Sequence, residues 1–310
     1  MKNVLAIDLG GSKAAFRVAG DTEMDHVVSV PELGDSESEF DLIIAHLRSF
    51  LLLHEATDIC GCVIATAAAI SSDGRISHWP NRPYWTGFDL CTRFSHILQC
   101  PVMAEDDCNA AAYAESVGIS ESPLVFISIG TGIGCGVIIN RKIYKGTTFS
   151  GPEIGHMQTG RQDALCVCGR KGCLQAYVSA RAILSRLDLP GDTLFAKGQA
   201  LRQLVDKKPA IAMELFKNGA EILGNAMISV TELFAPARIV IGGGFAAIFP
   251  ELVQSAKNHF LSMRRNGLQL PDIHLARYHS KSSVAGAALI ALNHYIQSVY
   301  LHKKNDARPI

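Results

Sequence analysis

The chain has 310 residues, 48% of them hydrophobic and 19% charged, with 29 Lys and Arg against 29 Asp and Glu. A formal charge of zero gives no general attraction to nucleic acid or an anionic membrane and points to a small-molecule partner. The length exceeds the roughly 250–300 residues at which one core stops growing, so two domains are expected.

Six of the nine cysteines (Cys60, Cys62, Cys91, Cys100, Cys108 and Cys135) show no disulfide-like framework. The apolar N-terminal run is cut by Asp8 too early for a secretory leader, and no run approaches the roughly 18 apolar residues of a membrane span, so a cytoplasmic protein is expected.

In chain order, Val4–Ile7 is β-prone and runs through Asp8 into Leu9, Gly10, Gly11, Ser12 and Lys13, after which Ala14–Ala19 returns as a second strand. This differs from a Walker loop, which needs GxxxxGK and a following helix. Backbone N–H groups beside the paired glycines suit an anion, and Asp8 at a strand end suits Mg2+, although a plain hairpin turn fits the same residues. Phe40–His54 has apolar residues at helical spacing and predicts an amphipathic helix over a sheet. Cys62–Ile70 predicts a strand, and HWPNRPYWTG (78–87) a polar and aromatic loop of the kind that contacts ligand, with Asn81 either a contact or a turn former. Pro101–Ala104 predicts a strand, followed by Glu105, Asp106 and Asp107 and an Ala-rich helix, Ala110–Ser116. Adjacent carboxylates there need a helix N-terminus, a metal or a ligand to offset their repulsion. One of them suits a general base, and one reads equally as a helix cap.

Leu124–Ile139 repeats the N-terminal design as LVFISI, GTGIGCG and VII. Two such hairpins, each opening a half of the chain, predict an internal duplication with a cleft between the halves, and Gly130, Thr131 and Gly132 could wrap a phosphate. The stretch GHMQTGRQDALCVCGRKGCLQ (155–175) then supplies His156, Cys166, Cys168 and Cys173, a closed set of tetrahedral zinc type, with Gly169 and Gly172 permitting sharp turns. Three unpaired cysteines are the plainer alternative. Helical spacing follows over Tyr177–Leu187, Ala200–Val205 and Ala210–Phe234. Arg238–Ile241 is a buried-type strand entering Gly242, Gly243 and Gly244, where a base or ribose could lie against the backbone or where strand and helix pack closely. Helices over Phe249–Arg264 and Val284–Tyr300 flank a short strand near Ile273–Ala276.

Together these segments resemble the ROK family of sugar kinases and sugar-responsive repressors. AIDLGGSK looks like its first phosphate loop, EDDCNAAAYAE its catalytic segment and ISIGTGIGCG its second phosphate loop, while PEIGH with CxCGxxGC looks like its sugar and zinc signature and VIGGG its adenosine segment. The resemblance covers nearly the whole chain. It implies a two-domain α/β fold of actin/hexokinase-like (ribonuclease H-like) type with an interdomain cleft. The small domain would span 1–118, joined by the C-terminal helix 284–300, and the large domain with the zinc motif 119–283.

The activity implied is that of an ATP-dependent sugar 6-kinase, with Asp107 as general base and Asp8 serving Mg2+. Gly10, Gly11, Ser12, Lys13, Gly130, Thr131 and Gly132 would hold phosphates, and Gly242, Gly243 and Gly244 the adenosine. Asn81, Asp106, Asp107, Glu153, His156 and Gln175 would meet the sugar. Structural zinc would be held by His156, Cys166, Cys168 and Cys173, with the second ring nitrogen of His156 left for the sugar. Family members are often dimers, so a homodimer is expected, with sugar and ATP as partners and neither nucleic acid nor membrane. The repressor branch carries an N-terminal DNA-binding region, and with the first phosphate loop beginning at Asp8 the kinase branch is the one expected. A non-catalytic sugar sensor on the same fold is disfavoured because Asp107 and both phosphate loops are intact.

Three positions depart from the family pattern. Asp106 stands where Asn is common, near the sugar's 3- and 4-hydroxyls; Gln175 stands where Glu is common, near positions 1 and 2; and Ala69 stands where glycine is common. A carboxylate gained near position 3 and one lost near position 2 favour a 3-amino hexose such as kanosamine. The alternative is that Asp106 accepts from a neutral hydroxyl, as in a glucokinase or N-acetylmannosamine kinase.

Overall fold

The computed structural model describes residues 3–20, 24–147, 151–267 and 269–306. The chain divides into two compact units, one of Met1–Ala114, Lys145–Ser150 and Ser283–Ile310, the other of Glu115–Tyr144 and Gly151–Ser282. Each has its own hydrophobic core.

In the first unit β1 (Asn3–Leu9) and β2 (Lys13–Ala19) form an antiparallel hairpin, extended by β3 (Met24–Ser29). Helix α1 (Ser36–Leu53) is started by Asp35, whose side chain accepts from the Ser38 N–H. Its Phe40, Ile43, Ile44, Leu47 and Phe50 recur at helical spacing and are buried, and Glu39 is buried among them.

Next comes β4 (Ile59–Thr66), parallel to β1. The single strand expected over Cys62–Ile70 is broken after Thr66. There the Thr66 Oγ1 accepts from the Ala68 N–H at 3.2 Å and diverts the backbone from the ladder, so Ala69 falls in a separate ribbon of β5 (Ala69–Ile70) and β6 (Ile76–His78). The loop beyond is also less exposed than expected, since Trp79 and Trp85 are fully buried with ring centroids 5.5 Å apart. Helix α2 (Leu90–Leu98), β7 (Val102–Asp106) and α3 (Asp107–Ser116) follow, giving the sheet order β3-β2-β1-β4-β7. Val4 to Ile7 are buried without interruption, as befits an inner strand covered on both faces.

The second unit repeats this plan. Strands β8 (Leu124–Ile129) and β9 (Ile133–Ile139) form the hairpin and β10 (Lys142–Ile143) its edge. After the cysteine-rich segment come α4 (Gln175–Val178), α5 (Ala180–Leu184), α6 (Leu194–Lys207) and α7 (Pro209–Phe234). Strand β11 (Arg238–Gly242), α8 (Gly244–Ile248), α9 (Pro250–Ser262) and β12 (Asp272–Leu275) complete the order β10-β9-β8-β11-β12. Both sheets thus have two successive antiparallel pairings on one side of the first hairpin strand and two parallel pairings on the other.

Finally α10 (Ser282–Asp306) returns to the first unit, where a Cβ on Gly286 would stand 1.7 Å from the Ala110 carbonyl oxygen. Only glycine permits that approach to α3. No helix among the described residues is long and apolar enough to cross a membrane.

Candidate active site and metal centre

The candidate residues form two sets, one in each unit. In the first unit Asp8 lies near the end of β1 and accepts a 2.6 Å hydrogen bond from the Ser283 hydroxyl at the start of α10. Burial pushes its pKa up to about 6, the charge of Asp107 adds to the rise, and Ser283 and Lys13 oppose it. Burial also raises Asp107, which begins α3 directly after β7, against the opposing hydrogen bonds of Cys108. Two half-buried carboxylates that feel one another's charge are stabilised by a cation, so the donor chemistry fits Mg2+.

The three adjacent carboxylates have different surroundings. Glu105 is buried, pairs with Lys145 at 2.7 Å and accepts from the Asn109 side chain at 3.2 Å. Asp106 caps α3, its Oδ1 accepting from the N–H groups of Cys108 and Asn109 at 3.0 and 2.9 Å. The cap anticipated at this junction is therefore Asp106, and an Asn could serve it as well.

Between β1 and β2 the turn is closed by the Gly10 N–H donating to the Lys13 carbonyl at 3.0 Å, while Gly11, Ser12 and Lys13 are exposed. Asn81 covers Gly11, its Nδ2 3.5 Å from where a Cβ would stand. Arg82 is buried and donates to the Gly11 carbonyl through Nε at 3.1 Å and through a terminal nitrogen at 2.9 Å.

In the second unit the turn Gly130–Gly132 is tied by the Gly130 carbonyl, which accepts from the Ala180 N–H at 2.9 Å. Beside it a 3-10 turn, Ile154–His156, packs so tightly that a Cβ on Gly155 would lie 2.2 Å from the Ile133 carbonyl oxygen. Glu153 is exposed just before this turn and His156 is half-buried in it.

His156 Nδ1 is 3.8 Å from Cys166 Sγ, and Cys168 Sγ is 3.7 Å from Cys173 Sγ, with all four donor atoms within 4.8 Å of one another. A tetrahedral zinc with ordinary bond lengths has S···S edges of roughly 3.8 Å and N···S edges of roughly 3.5 Å, so these residues fit it. The electrostatics agree. A backbone hydrogen bond from Arg170 is the main cause bringing Cys168 down to about 6, whereas burial pushes Cys173 up to about 11, so a thiolate there needs a cation. Gly172 has φ +82, and a Cβ there would meet the Arg161 carbonyl oxygen at 2.1 Å; Gly169 has φ +86.

Gln175 has partners that sequence reasoning did not anticipate. Its Nε2 donates to Cys166 Sγ at 3.1 Å and its Oε1 accepts from the Ile133 N–H at 3.4 Å, joining the cysteine cluster to the second turn. Of the three glycines at the junction of β11 and α8, Gly242 and Gly243 are required by packing, with Cβ positions 2.7 Å from Phe126 and 2.5 Å from the Ile129 carbonyl oxygen. Gly244 is exposed and has nothing within 4 Å of its Cβ position.

Arg82, Glu39 and Ser283 were missed. Glu39 carried a signal, because a carboxylate beside the apolar stripe of an amphipathic helix asks for a buried partner. Ser283 carried none, as its contact joins residues 275 apart.

The family model described as the ROK family matches residues 4–294. A kanosamine kinase of Amycolatopsis mediterranei (strain S699) is 33% identical over 293 residues, covering 93% of this chain and 95% of that protein. A xylose repressor of Bacillus subtilis (strain 168) is 24% identical over 277 residues, 86% of this chain and 71% of the repressor. Among solved structures, a ROK family glucokinase from Streptomyces griseus in complex with glucose and AMPPNP superposes with a TM-score of 0.81 at 23% identity, covering 94% of this chain and 99% of the other, a likeness of fold.

Proposed function

Since the chain belongs to the ROK family and has the two-domain, actin/hexokinase-like (ribonuclease H-like) α/β fold, we propose that it is an ATP-dependent sugar kinase acting on the 6-hydroxyl of a hexose or amino-hexose. The observation that carries this is Asp107, a carboxylate with raised proton affinity at a strand-to-helix junction, close enough to Asp8 for their charges to interact. Such a carboxylate suits a general base. Asp107 takes the proton of the sugar hydroxyl as its oxygen bonds to the γ-phosphorus and the bond from that phosphorus to the β-phosphate oxygen breaks, leaving ADP.

Positioning and neutralisation of charge are the protein's main contributions to such a transfer. The N–H groups of Gly11, Ser12 and Lys13, with those of Thr131 and Gly132, hold phosphate oxygens, on turns that Gly10 and Gly130 close by donating their own N–H groups to the Lys13 and Gly132 carbonyls, and Asp8 would hold Mg2+, whose charge would offset that of the phosphates. Gly244, together with Gly242 and Gly243, receives the adenosine. Asn81, Asp106, Glu153 and His156 take sugar hydroxyls, and Gln175 braces that wall. Zinc on His156, Cys166, Cys168 and Cys173 supplies rigidity rather than chemistry.

For the sugar, we favour a 3-amino hexose of the kanosamine type. The kanosamine kinase relative supports it, as does a carboxylate at position 106, which pairs with an ammonium group more strongly than an amide would. A phosphorylation panel of kanosamine, glucose, glucosamine, N-acetylmannosamine, fructose and allose tests this, with kanosamine expected first and Asp106→Asn moving preference toward neutral sugars. Glucose winning by a wide margin would overturn the amino-sugar assignment. Asp107→Asn should lower turnover by roughly 10²–10⁴-fold with sugar binding kept. The repressor relative supports a second reading, a sugar-responsive regulator. Equal background ATP consumption by wild type and Asp107→Asn across the panel would favour it.

A further inference from the structure

Beneath the exposed turn of the first hairpin lies an ion pair that the proposed reaction does not use. Arg82 and Glu39 are 1% and 0% exposed and pair through Nη1 and Oε2. Every site on the carboxylate is occupied: Oε1 accepts from the Leu33 N–H at 2.7 Å and the Tyr84 hydroxyl at 2.6 Å, and Oε2 from Arg82 and from the Trp85 indole at 2.7 Å. Burial alone would raise the Glu39 pKa, but these hydrogen bonds and the Arg82 charge outweigh it and hold the group below its usual value.

With its charge neutralised in this way, Arg82 is not a counter-ion for phosphate. Three further donors go to main-chain oxygens, two to Gly11 at 3.1 and 2.9 Å and one to Val30 at 2.8 Å. Val30 in turn donates its own N–H to the Ser12 carbonyl at 3.0 Å. The carbonyls of two successive turn residues are thereby drawn away from solvent.

A trans peptide is planar, with its C=O and N–H pointing in opposite directions. Holding the Gly11 carbonyl therefore aims the N–H of Ser12 the other way, out of the turn. We infer that Arg82 is a positioning residue that orients the Gly11–Ser12 peptide for anion binding, with Glu39 as the brace that keeps the guanidinium in place. This rests on reading the turn as a phosphate loop. A buried ion pair is weak evidence for stability in itself, whereas one whose guanidinium also grips a turn carbonyl with two donors is suited to fixing a conformation. Lysine could not do the same, because its ammonium lacks the planar fork that reaches two carbonyls and a carboxylate at once.

The test is calorimetric binding of ADP and of a non-hydrolysable ATP analogue to the full-length chain, beside sugar binding and thermal melting. Arg82→Met should weaken nucleotide binding by about ten-fold or more while sugar affinity stays within about two-fold. The double variant Arg82→Met/Glu39→Gln, which leaves no unpaired buried charge, should show the same selective loss with a melting temperature nearer wild type. Tyr84→Phe removes one brace and remains folded if neither of the others does; it should weaken nucleotide binding by about two- to three-fold. Folded variants with unchanged nucleotide affinity, or with sugar and nucleotide affinity falling together, would overturn the role of Arg82. Failure of wild type to bind nucleotide would instead refute the phosphate-loop reading.

Discussion

The two glycine-turn hairpins share a topology and differ in what holds their turns. In the first, β1–β2, the turn rests on side chains of the same unit's core, with Arg82 on the Gly11 carbonyl and Glu39 beneath it. In the second, β8–β9, it rests on a polar segment with little core of its own, through Gln175, Gly155 and a cluster of four candidate metal donors. The first kind of support is present once the core packs. On the proposed reading the second also draws on a bound ion, because Leu165 and Val167 are exposed there while three thiols are drawn together with His156.

Zinc removal probes this difference most strongly. At free zinc about a thousand-fold above the dissociation constant, binding stabilises the folded chain by about 4 kcal/mol. Chelation should then lower the melting temperature of the second unit by roughly 8–16 °C, and hydrogen exchange should show loss of protection at 155–175 with β1 and β2 unaffected. If both hairpins lose protection equally, the two supports are not independent.

Gln175 gives a smaller and more local effect. Gln175→Leu removes the donor to Cys166 and the acceptor for Ile133 while leaving the four ligands in place. Partners of metal ligands are typically worth 10–100-fold in affinity, and one neutral amide belongs at the low end, so zinc affinity should fall by about ten-fold in competition with a chromophoric chelator. Unchanged affinity would mean that the contact is incidental to metal binding.

Much of this contrast could be read in the residues themselves. Continuous apolar runs marked both hairpins, and the cysteine spacing with its two glycines marked the four side chains that the fold brings together as candidate metal donors, because each of these signals is local. The braces were hidden because they are long-range: Arg82 meets Glu39 across 43 positions and Ser283 meets Asp8 across 275. The division of labour among Glu105, Asp106 and Asp107 was hidden for another reason. Three adjacent carboxylates fit the same local pattern, and only the start of α3 decides which of them caps it. The aromatic loop misled because its prolines, Pro80 and Pro83, and its glycine, Gly87, are loop signals, while its two tryptophans belong to the core.

The smallest expected effect compares matched positions two residues before each turn, Asp8 before Gly10 and Ser128 before Gly130. Both occupy central strands, Asp8 facing Ala65 across the parallel pair and Ser128 facing Gly242. Asp8 carries a strained charge, since its folded pKa of about 6 stands above the ordinary 3.8, chiefly through burial. A carboxyl that holds its proton more tightly when folded makes the ligand-free chain less stable as pH rises from 3.8 towards about 6, and the loss is complete above that. Asp8→Asn keeps an acceptor for Ser283 and removes the charge. It should therefore stabilise the metal-free chain at neutral pH by about 1 kcal/mol, the full shift being discounted for partial exposure, and the gain should shrink as pH falls below about 6. Ser128→Ala should stay within about 0.5 kcal/mol of wild type at every pH. Melting temperature against pH for the three proteins decides it. A pH-independent gain for Asp8→Asn would show that packing rather than charge is strained there, whereas a pH-dependent gain with loss of turnover would mark Asp8 as a residue whose cost in stability is borne for its function.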